Sequence, residues 1–361
     1  MTENTKESVH MPEKTDILSM LPEELEEFFL SIGQPKYRAK QVFSQLARGV
    51  APSEMTNLPK TLREELASLV EYRLPVVEKK LVSAIDGTVK YLFRLLDGAC
   101  IESVLMRYEH GNTLCISSQV GCRMGCRFCA STIGGKVRDL LPSELLGQVI
   151  AAEKDDQSRI SNIVMMGIGE PLDNFDNVIR FLKLVNHKDG LCIGYRHISL
   201  STCGLPDRIR ELAEVNLPIT LSISLHAPND EKRSAIMPIN RRYPLAQLFA
   251  ACRAYYATTG RRISFEYTLL AGKNDSPEQA VRLAALLRRY FGKAPLHVNL
   301  IRVNEVEGTG FTRGSRESVE AFAAILERRG IVATVRRRLG ADVNAACGQL
   351  RRSAAEKKEE G

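Results

Sequence analysis

The sequence predicts an α/β protein, a partial (β/α) barrel with a small helical N-terminal domain, and three patterns predict it. Beyond Gly121, short β-branched runs (NIVMMG, HISLSTC, ITLSISLH, ISFEYTLL, HVNLIRV and VATVRRR) alternate with amphipathic stretches such as PSELLGQVIAAEK, NVIRFLKLVN and EQAVRLAALLRRYFG. Repeated β-then-α units imply a parallel sheet with helices outside it. A count of about six suits an incomplete barrel better than an eightfold one, and puts functional residues just after the strand C-termini. From Asp16 to Tyr72 the spacing is helical instead: LPEELEEFFLSIG closes at Gly33, PKYRAKQVFSQLARG closes at Gly49, and LPKTLREELASLV begins at a proline. Between these regions KKLVSAI, VKYLFRLL, CIESVLMRY and TLCISS read as strands, broken by the hairpin dipeptides Asp86-Gly87 and Asp97-Gly98. The expected division is a disordered N-terminus (1–14), a helical accessory domain (15–76), a barrel domain (77–350) and a solvated tail (351–361). The accessory domain reads equally as an RNA-contacting unit or as a packing or lid unit.

With 361 residues, 44% of them hydrophobic and 26% charged, the chain has material for a sizeable core, which excludes wholesale disorder. No apolar run approaches the ~20 residues needed to cross a bilayer, and Met1 to Leu18 has no apolar stretch before a cleavage site. The expectation is a cytoplasmic protein without membrane contact. Fifty Lys and Arg against 43 Asp and Glu leave a charge of +7, a mild excess that fits a polyanionic partner. Arginine clusters recur at Arg241-Arg242, Arg261-Arg262, Arg288-Arg289, Arg328-Arg329, Arg336-Arg337-Arg338 and Arg351-Arg352, although any single pair reads first as a solvated helix face. Nine cysteines without an export signal argue for reduced thiols, metal ligation or redox catalysis rather than a disulfide scaffold.

Cysteine spacing narrows this. Cys122, Cys126 and Cys129 form a CxxxCxxC loop directly after TLCISS. Three thiolates within eight residues can wrap one face of a 4Fe-4S cluster and leave the fourth iron without a protein ligand, open to substrate. Structural zinc needs a fourth Cys or His, and none follows closely. Three cysteines packed as small apolar residues fit less well, because Arg123, Gly125 and Arg127 interrupt any apolar face.

Downstream stand Met165-Met166-Gly167-Ile168-Gly169-Glu170-Pro171, Leu200-Ser201-Thr202-Cys203-Gly204, Ser222-Ile223-Ser224-Leu225-His226-Ala227-Pro228-Asn229-Asp230, Met237-Pro238-Ile239-Asn240 and Ala345-Ala346-Cys347-Gly348-Gln349-Leu350. With the cysteine loop, these strings resemble the RlmN/Cfr family of RNA adenine methyltransferases, within the radical S-adenosylmethionine (SAM) superfamily, over residues 15–350. The resemblance implies a partial barrel of the radical SAM type, a 4Fe-4S cluster on Cys122, Cys126 and Cys129, and SAM as both methyl donor and radical source. It implies carbon 2 of an adenosine in 23S rRNA as the target, together with the adenosine 3′ of the anticodon in tRNA. An electron donor such as flavodoxin or ferredoxin and a monomeric state go with it. The alternative is carbon 8 of the same ribosomal adenosine, the target of relatives that carry Ala where Pro171 stands here.

Site residues follow from the same resemblance. Gly169 and Glu170 would contact the SAM amino group, Ser201, Ser224, Leu225 and His226 its ribose and carboxylate, and Asn304 its adenosine. Taken alone, Gly167-x-Gly169-Glu170 is a tight strand-to-helix turn and a strand histidine is a satisfied core residue. Arg302-Val303 and Glu305 replace the family's Pro-Phe and Pro around Asn304, and Ser131 to Leu140 departs from the Gln-Gln-Gly-Phe version of other branches. Cys347, between two arginine clusters that favour thiolate, would take a methyl from one SAM. A second SAM would yield the radical that removes a hydrogen from that methyl. Carbon 2 of adenine is electrophilic and cannot attack SAM, whereas a methylene radical on sulfur can add to it. Cys115 matches the cysteine that resolves the RNA–Cys347 adduct through a disulfide, and Glu102 matches a proton acceptor. From the residues alone Cys347 also reads as an inert thiol and Glu102 as an exposed strand carboxylate. Cys100, Cys192, Cys203 and Cys252 have no partner spacing and are expected as small core residues. Two rival classes remain: a zinc RNA-binding module, and a radical SAM activase of a protein glycyl site, which would leave Cys115 and Cys347 without a role.

Overall fold

A computed structural model of the chain describes residues 14–304 and 309–343. It opens with β1 (Thr15–Asp16), followed by α1 (Pro22–Ser31), α2 (Tyr37–Ala47) and α3 (Lys60–Leu69), and β2 (Val70–Glu71) pairs in parallel with β1. Gly33 and Gly49 follow the first two helices with φ of 71° and 76°, a left-handed conformation in which glycine ends a helix without strain.

Antiparallel strands β3 (Val76–Val82), β4 (Val89–Arg94) and β5 (Cys100–Met106) come next, turning at Asp86-Gly87 and Asp97-Gly98. From β6 (Asn112–Cys115) the sheet continues in parallel. After the small hairpin of β7 (Gln119–Gly121) and β8 (Lys136–Asp139), the strands β9 (Ile160–Met165), β10 (Ile198–Thr202), β11 (Thr220–Ser224), β12 (Ile263–Leu269), β13 (His297–Arg302) and β14 (Val332–Val335) line up in chain order beside β6. The parallel part therefore has seven strands rather than six. TLCISS supplies the seventh, pairing antiparallel with β5 and parallel with β9. The ten-stranded sheet ends at β14 and β3, which are not hydrogen-bonded to each other among the described residues, so the barrel is open. A short strap after β14 reaches across: Asp342 accepts from Ser83 Oγ at 2.6 Å and the Ala84 N–H at 2.8 Å, and the Gly340 N–H donates to Asp86 Oδ2 at 2.8 Å.

The crossovers carry α4 (Pro142–Asp156), α5 (Phe175–Asn186), α6 (Pro206–Val215), α7 (Asp230–Ile236), α8 (Ile239–Arg242), α9 (Leu245–Thr259), α10 (Pro277–Phe291) and α11 (Arg316–Arg328). Among the described residues no helix is long and apolar enough to cross a membrane. Strand register sorts side chains by face. Leu114, Ile163, Leu200, Leu221, Phe265 and Val298 are fully buried in the core shared with the helices, whereas Cys115, Ser199, Ser201, Ser222, Ser224, Glu266 and Asn299 alternate with them on the inner face. All-parallel sheets usually bury two apolar faces; here the inner one borders a lumen and is polar.

The helical segment shares this core. Its buried Leu25, Phe29, Val42, Phe43 and Leu66 form one apolar cluster with residues of α4 and α5. Asp16 Oδ2 accepts from Ser143 Oγ at 2.6 Å, Lys154 Nζ donates to the Gly49 carbonyl at 2.8 Å, and a Cβ on Gly49 would stand 2.5 Å from Lys154 Cδ.

Arg233 on α7 has no exposure. Its Nε donates to the Leu225 carbonyl at 3.1 Å, Nη1 to Asn240 Oδ1 at 2.9 Å, and Nη2 to the carbonyls of Cys203 at 2.6 Å and Ser224 at 2.9 Å. Arg233→Met should lower unfolding free energy by about 3 kcal/mol, since three carbonyls and an amide lose their donor. Arg233→Lys should recover only part, because an ammonium lacks the planar fork. Urea denaturation of the three proteins measures both.

Candidate active site

The mouth at the strand C-termini holds a cavity of about 250 Å³. The cysteine loop forms one wall. Gly121 and Gly125 turn the chain with φ of 78° and 72°. The loop is pinned by the Arg127 N–H donating to the Ile236 carbonyl at 2.9 Å and by Thr132 Oγ1 donating to the Cys129 carbonyl, also at 2.9 Å. Cys122, Cys126 and Cys129 all border the cavity. Burial pushes the Cys122 thiol up to about 12; Cys126 is also raised, by burial first and then by the charges of Cys129 and Cys122. Among the described residues no group of three or more Cys, His, Asp or Glu side chains is arranged to hold a single metal ion. Three soft donors around a shared cavity, with the Cys122 and Cys126 thiols raised by burial and by neighbouring charge, fit a group that brings its own positive charge and several metal atoms, as an iron–sulfur cluster does.

Opposite lie the ends of β9, β10 and β11. Glu170 is 3% exposed, accepting from the Leu172 N–H at 3.0 Å and from the Cys203 N–H at 2.7 Å. Burial raises its carboxyl, and these hydrogen bonds oppose the rise. The glycines before it serve packing: a Cβ on Gly167 would meet the Ile116 carbonyl oxygen at 2.6 Å, and one on Gly169, at φ 107°, would meet the Gln119 nitrogen at 2.7 Å. They bring the β9 end against the loop after β6, which places Glu170 at the cavity. Ser201 and Ser224 line it from β10 and β11. His226 takes a left-handed φ of 56° and its Nδ1 accepts from the Thr268 N–H at 2.9 Å, while its ring meets Phe128 of the cysteine loop edge-on at 5.0 Å. Burial holds it down to about 3, so the ring is neutral and carries its proton on Nε2. Asn304 borders the cavity from the exposed end of the β13 loop, and Glu305 lies outside the described residues.

Leu225 does not line the cavity. Its side chain is fully buried, its N–H donates to the Glu266 carbonyl at 3.0 Å, and its carbonyl accepts from Arg233. Cys115 is set back on the inner face, packed with Val104, Met106 and Met166. Burial raises its thiol, the Arg336 charge opposes the rise, and the Met166 N–H donates to the sulfur. Glu102 is 3% exposed and 3.6 Å from the Lys90 ammonium, so it is a buried, paired carboxylate rather than an exposed one. Cys347 lies outside the described residues.

Two of the four expected core cysteines are placed otherwise: Cys192 is exposed, at φ 55°, and Cys100 is half-buried, whereas Cys252 and Cys203 are buried in apolar clusters, Cys203 also lining the cavity. Glu266 and Arg336 were missed as site residues. Glu266 reaches the cavity from β12, accepting from Ser264 Oγ at 3.1 Å and from Asn299 Nδ2 at 2.7 Å. Its one sequence signal is an acid inside the otherwise uncharged strand ISFEYTLL. Arg336 and Met166 border both this cavity and a second of about 320 Å³ further down the lumen.

Residues 116–284 match the Radical SAM superfamily, and residues 15–71 match a ribosomal RNA large subunit methyltransferase N-terminal domain. A protein of Alkaliphilus oremlandii named as a probable dual-specificity RNA methyltransferase RlmN is 51% identical over 341 residues, covering 94% of this chain and 98% of its own. One of the same name from Pelotomaculum thermopropionicum is 52% identical over 333 residues, 92% of this chain and 90% of its own. The crystal structure of a radical SAM methyltransferase from Sphaerobacter thermophilus superposes with a TM-score of 0.88 at 43% identity, covering 93% of this chain and 98% of that one. With the three-thiol cavity at the mouth of an open barrel, similarity at this level over almost the full length shows that the chain belongs to the RlmN family of radical SAM RNA methyltransferases.

Proposed function

We propose that the chain methylates carbon 2 of an adenosine in 23S rRNA and of the adenosine 3′ of the anticodon in tRNAs, through an S-methyl group on Cys347. What carries the reading is one cavity bordered by Cys122, Cys126 and Cys129 on one side and by Glu170, Ser201, Ser224, His226 and Asn304 on the other, with Cys115 behind Met166 on the same inner face. Thiolates for a cluster and polar groups for an amino acid and a nucleoside thus face each other. When bound, the 4Fe-4S cluster and SAM supply a methyl group and, on one-electron reduction, a 5′-deoxyadenosyl radical.

The chain's own residues supply the rest. Cys122, Cys126 and Cys129 hold the cluster. Glu170 accepts a hydrogen bond from the ammonium of SAM, and Gly169 keeps that carboxylate in place. The neutral His226 donates from Nε2, and Ser201 and Ser224 offer hydroxyls to ribose and carboxylate. Leu225 acts through its backbone, and Asn304 faces the adenosine. The Cys347 sulfur accepts the methyl and carries it to the base. Glu102 takes the proton from carbon 2. Once the unpaired electron on the base has been returned, as the cluster would accept it when bound, attack of the Cys115 thiolate on the Cys347 sulfur breaks the bond between that sulfur and the transferred carbon and forms a disulfide. The released carbon takes a proton from solvent to complete the methyl group, and an external thiol reduces the disulfide. The enzyme acts as a monomer in the cytoplasm with a flavodoxin or ferredoxin as electron donor, on a base taken out of its stack. Pro171 opens the short turn that Glu170 caps, a position where the carbon 8 relatives have Ala. Anaerobic reconstitution with SAM, reductant and RNA, followed by nucleoside mass spectrometry, tests the assignment: 2-methyladenosine is expected, and 8-methyladenosine would replace it with the alternative.

The reconstituted protein should hold about four irons and four sulfides per chain. Iron analysis of the Ala variants of Cys122, Cys126 and Cys129 should show the cluster lost from each.

Cys115→Ala should still load methyl on Cys347 and should then trap RNA covalently, seen as protein that migrates with RNA on denaturing gels. Cys347→Ala should show neither methyl loading nor cross-link, so the two variants stop at different steps.

Because the helical segment shares the barrel's core, its part in RNA binding is tested by charge rather than by deletion. Lys36→Glu with Arg48→Glu and Lys60→Glu, all exposed, should weaken RNA binding and flatten its salt dependence, measured by filter binding across a salt series.

A further inference from the structure

Lys90 sits in the middle of β4 with no exposure, between the fully buried Val89 and Tyr91. Strand register makes it the diagonal neighbour of Glu102: Lys90 pairs with Val104 and Leu92 with Glu102. The ammonium stands 3.6 Å from Glu102 Oε2. The next strand inward continues the row, because Val104 pairs with Cys115 and the Glu102 charge acts on that thiol. Beyond Cys115 comes Arg336. A buried line of cation, carboxylate and thiol thus crosses β4, β5 and β6 and leads to the half-buried Arg336 on the segment after β14.

Stability alone does not call for an ammonium here. A buried ion pair can usually be exchanged for apolar side chains of similar volume without loss, whereas removing one partner leaves an uncompensated charge. The pair sits next to the residue assigned to resolve the adduct, on the face that borders the lumen. We propose that Lys90 is a positioning residue that keeps the Glu102 carboxylate charged and fixed on the inner face, ready to receive the proton that leaves the carbon being methylated. The proton passes from that carbon to a Glu102 oxygen and the C–H electron pair stays on the base. The pair thereby changes from carboxylate and ammonium to carboxylic acid and ammonium. This deepens the proposed function and rests on its reading of Glu102 as the acceptor. Lys90 offsets the repulsion that the carboxylate would exert on a Cys115 thiolate until the proton arrives, and the protonated acid no longer exerts it.

The test compares full-length reconstituted parent, Lys90→Met, Lys90→Arg, Glu102→Gln and the Lys90→Met/Glu102→Gln double variant. Lys90→Met should load methyl on Cys347 and form 5′-deoxyadenosine as the parent does. It should accumulate protein-bound RNA and release product more slowly by on the order of a hundredfold, and Lys90→Arg should recover most of that loss. In infrared spectra of protein labelled with 13C-glutamate, at neutral pH and without RNA, a protonated carboxyl band should appear in Lys90→Met. It should be absent from the parent, from Lys90→Arg and from the double variant. Parent-like turnover in Lys90→Met, or slowed turnover without that band, overturns the proposal while Glu102→Gln remains impaired. Parent-like turnover in Glu102→Gln overturns the acceptor reading and the proposal together. Should Lys90→Met fail to fold, Lys90→Gln is held to the same two readouts.

Discussion

The Arg233 guanidinium has left water entirely, a charge in that position needs paired donors, and four hydrogen bonds engage all three of its nitrogens. They are spent on the carbonyls that end β10 and β11 and on Asn240, whose own amide donates to Asp230 and Ser234. Glu170 completes the set by accepting the Cys203 N–H. The ends of three neighbouring strands are therefore stitched to one another and to α7 and α8, and none can shift without exposing a bond that another depends on. The same cation lowers the thiol of Cys126, against the rise imposed by burial. The group that fixes the backbone at the mouth thus also tunes a residue of the cysteine loop.

Alternation along the strands divides the remaining labour. Apolar side chains on the outer face pack against helices, and Ser, Thr, Asn and Glu on the inner face satisfy one another: Ser199 with Ser222 at 3.2 Å, Ser264 with His297 at 2.8 Å, and Asn299 with Glu266 at 2.7 Å. A buried polar face of this kind is costly unless its groups are paired, so it is organised before any ligand enters. That preorganisation lets short hydroxyl side chains act as fixed donors rather than mobile ones.

Local patterns made the helices, the hairpins and the cysteine loop legible, because a glycine stop, an Asp-Gly pair or three clustered thiols report on a few adjacent residues. What escaped depended on register between strands far apart in sequence. Glu266 looked like any acid in a strand until its register with Ser224 and Asn299 put it on the lumen face. Glu102 read as exposed because Lys90, its partner, lies across a hairpin. Cys203 is buried as expected, but its place at the cavity was not legible because nothing local shows that the turn after β10 faces the cysteine loop, and TLCISS read with the hairpins because its parallel partner β9 comes forty-odd residues later. Gly167 and Gly169 read as a tight strand-to-helix turn, and what demands glycine there is also distant in sequence, the close approach of the segment after β6.

A closed ring of strands can be entered only along its axis, which suits a small molecule. A nucleotide inside a long RNA has chain running away on both sides, and a wall that opens along its length is a different topological problem from a mouth. The unpaired edges of β14 and β3 leave such a seam, and the described residues cross it with the strap at Gly340 and Asp342, held by three hydrogen bonds rather than by a strand ladder. At about 0.5–1.5 kcal/mol net for each bond, that fastening sits within reach of the free energy that a few phosphate contacts deliver. Among the described residues the barrel is thereby fastened along this side like a clasp, at three points, rather than closed by a ladder.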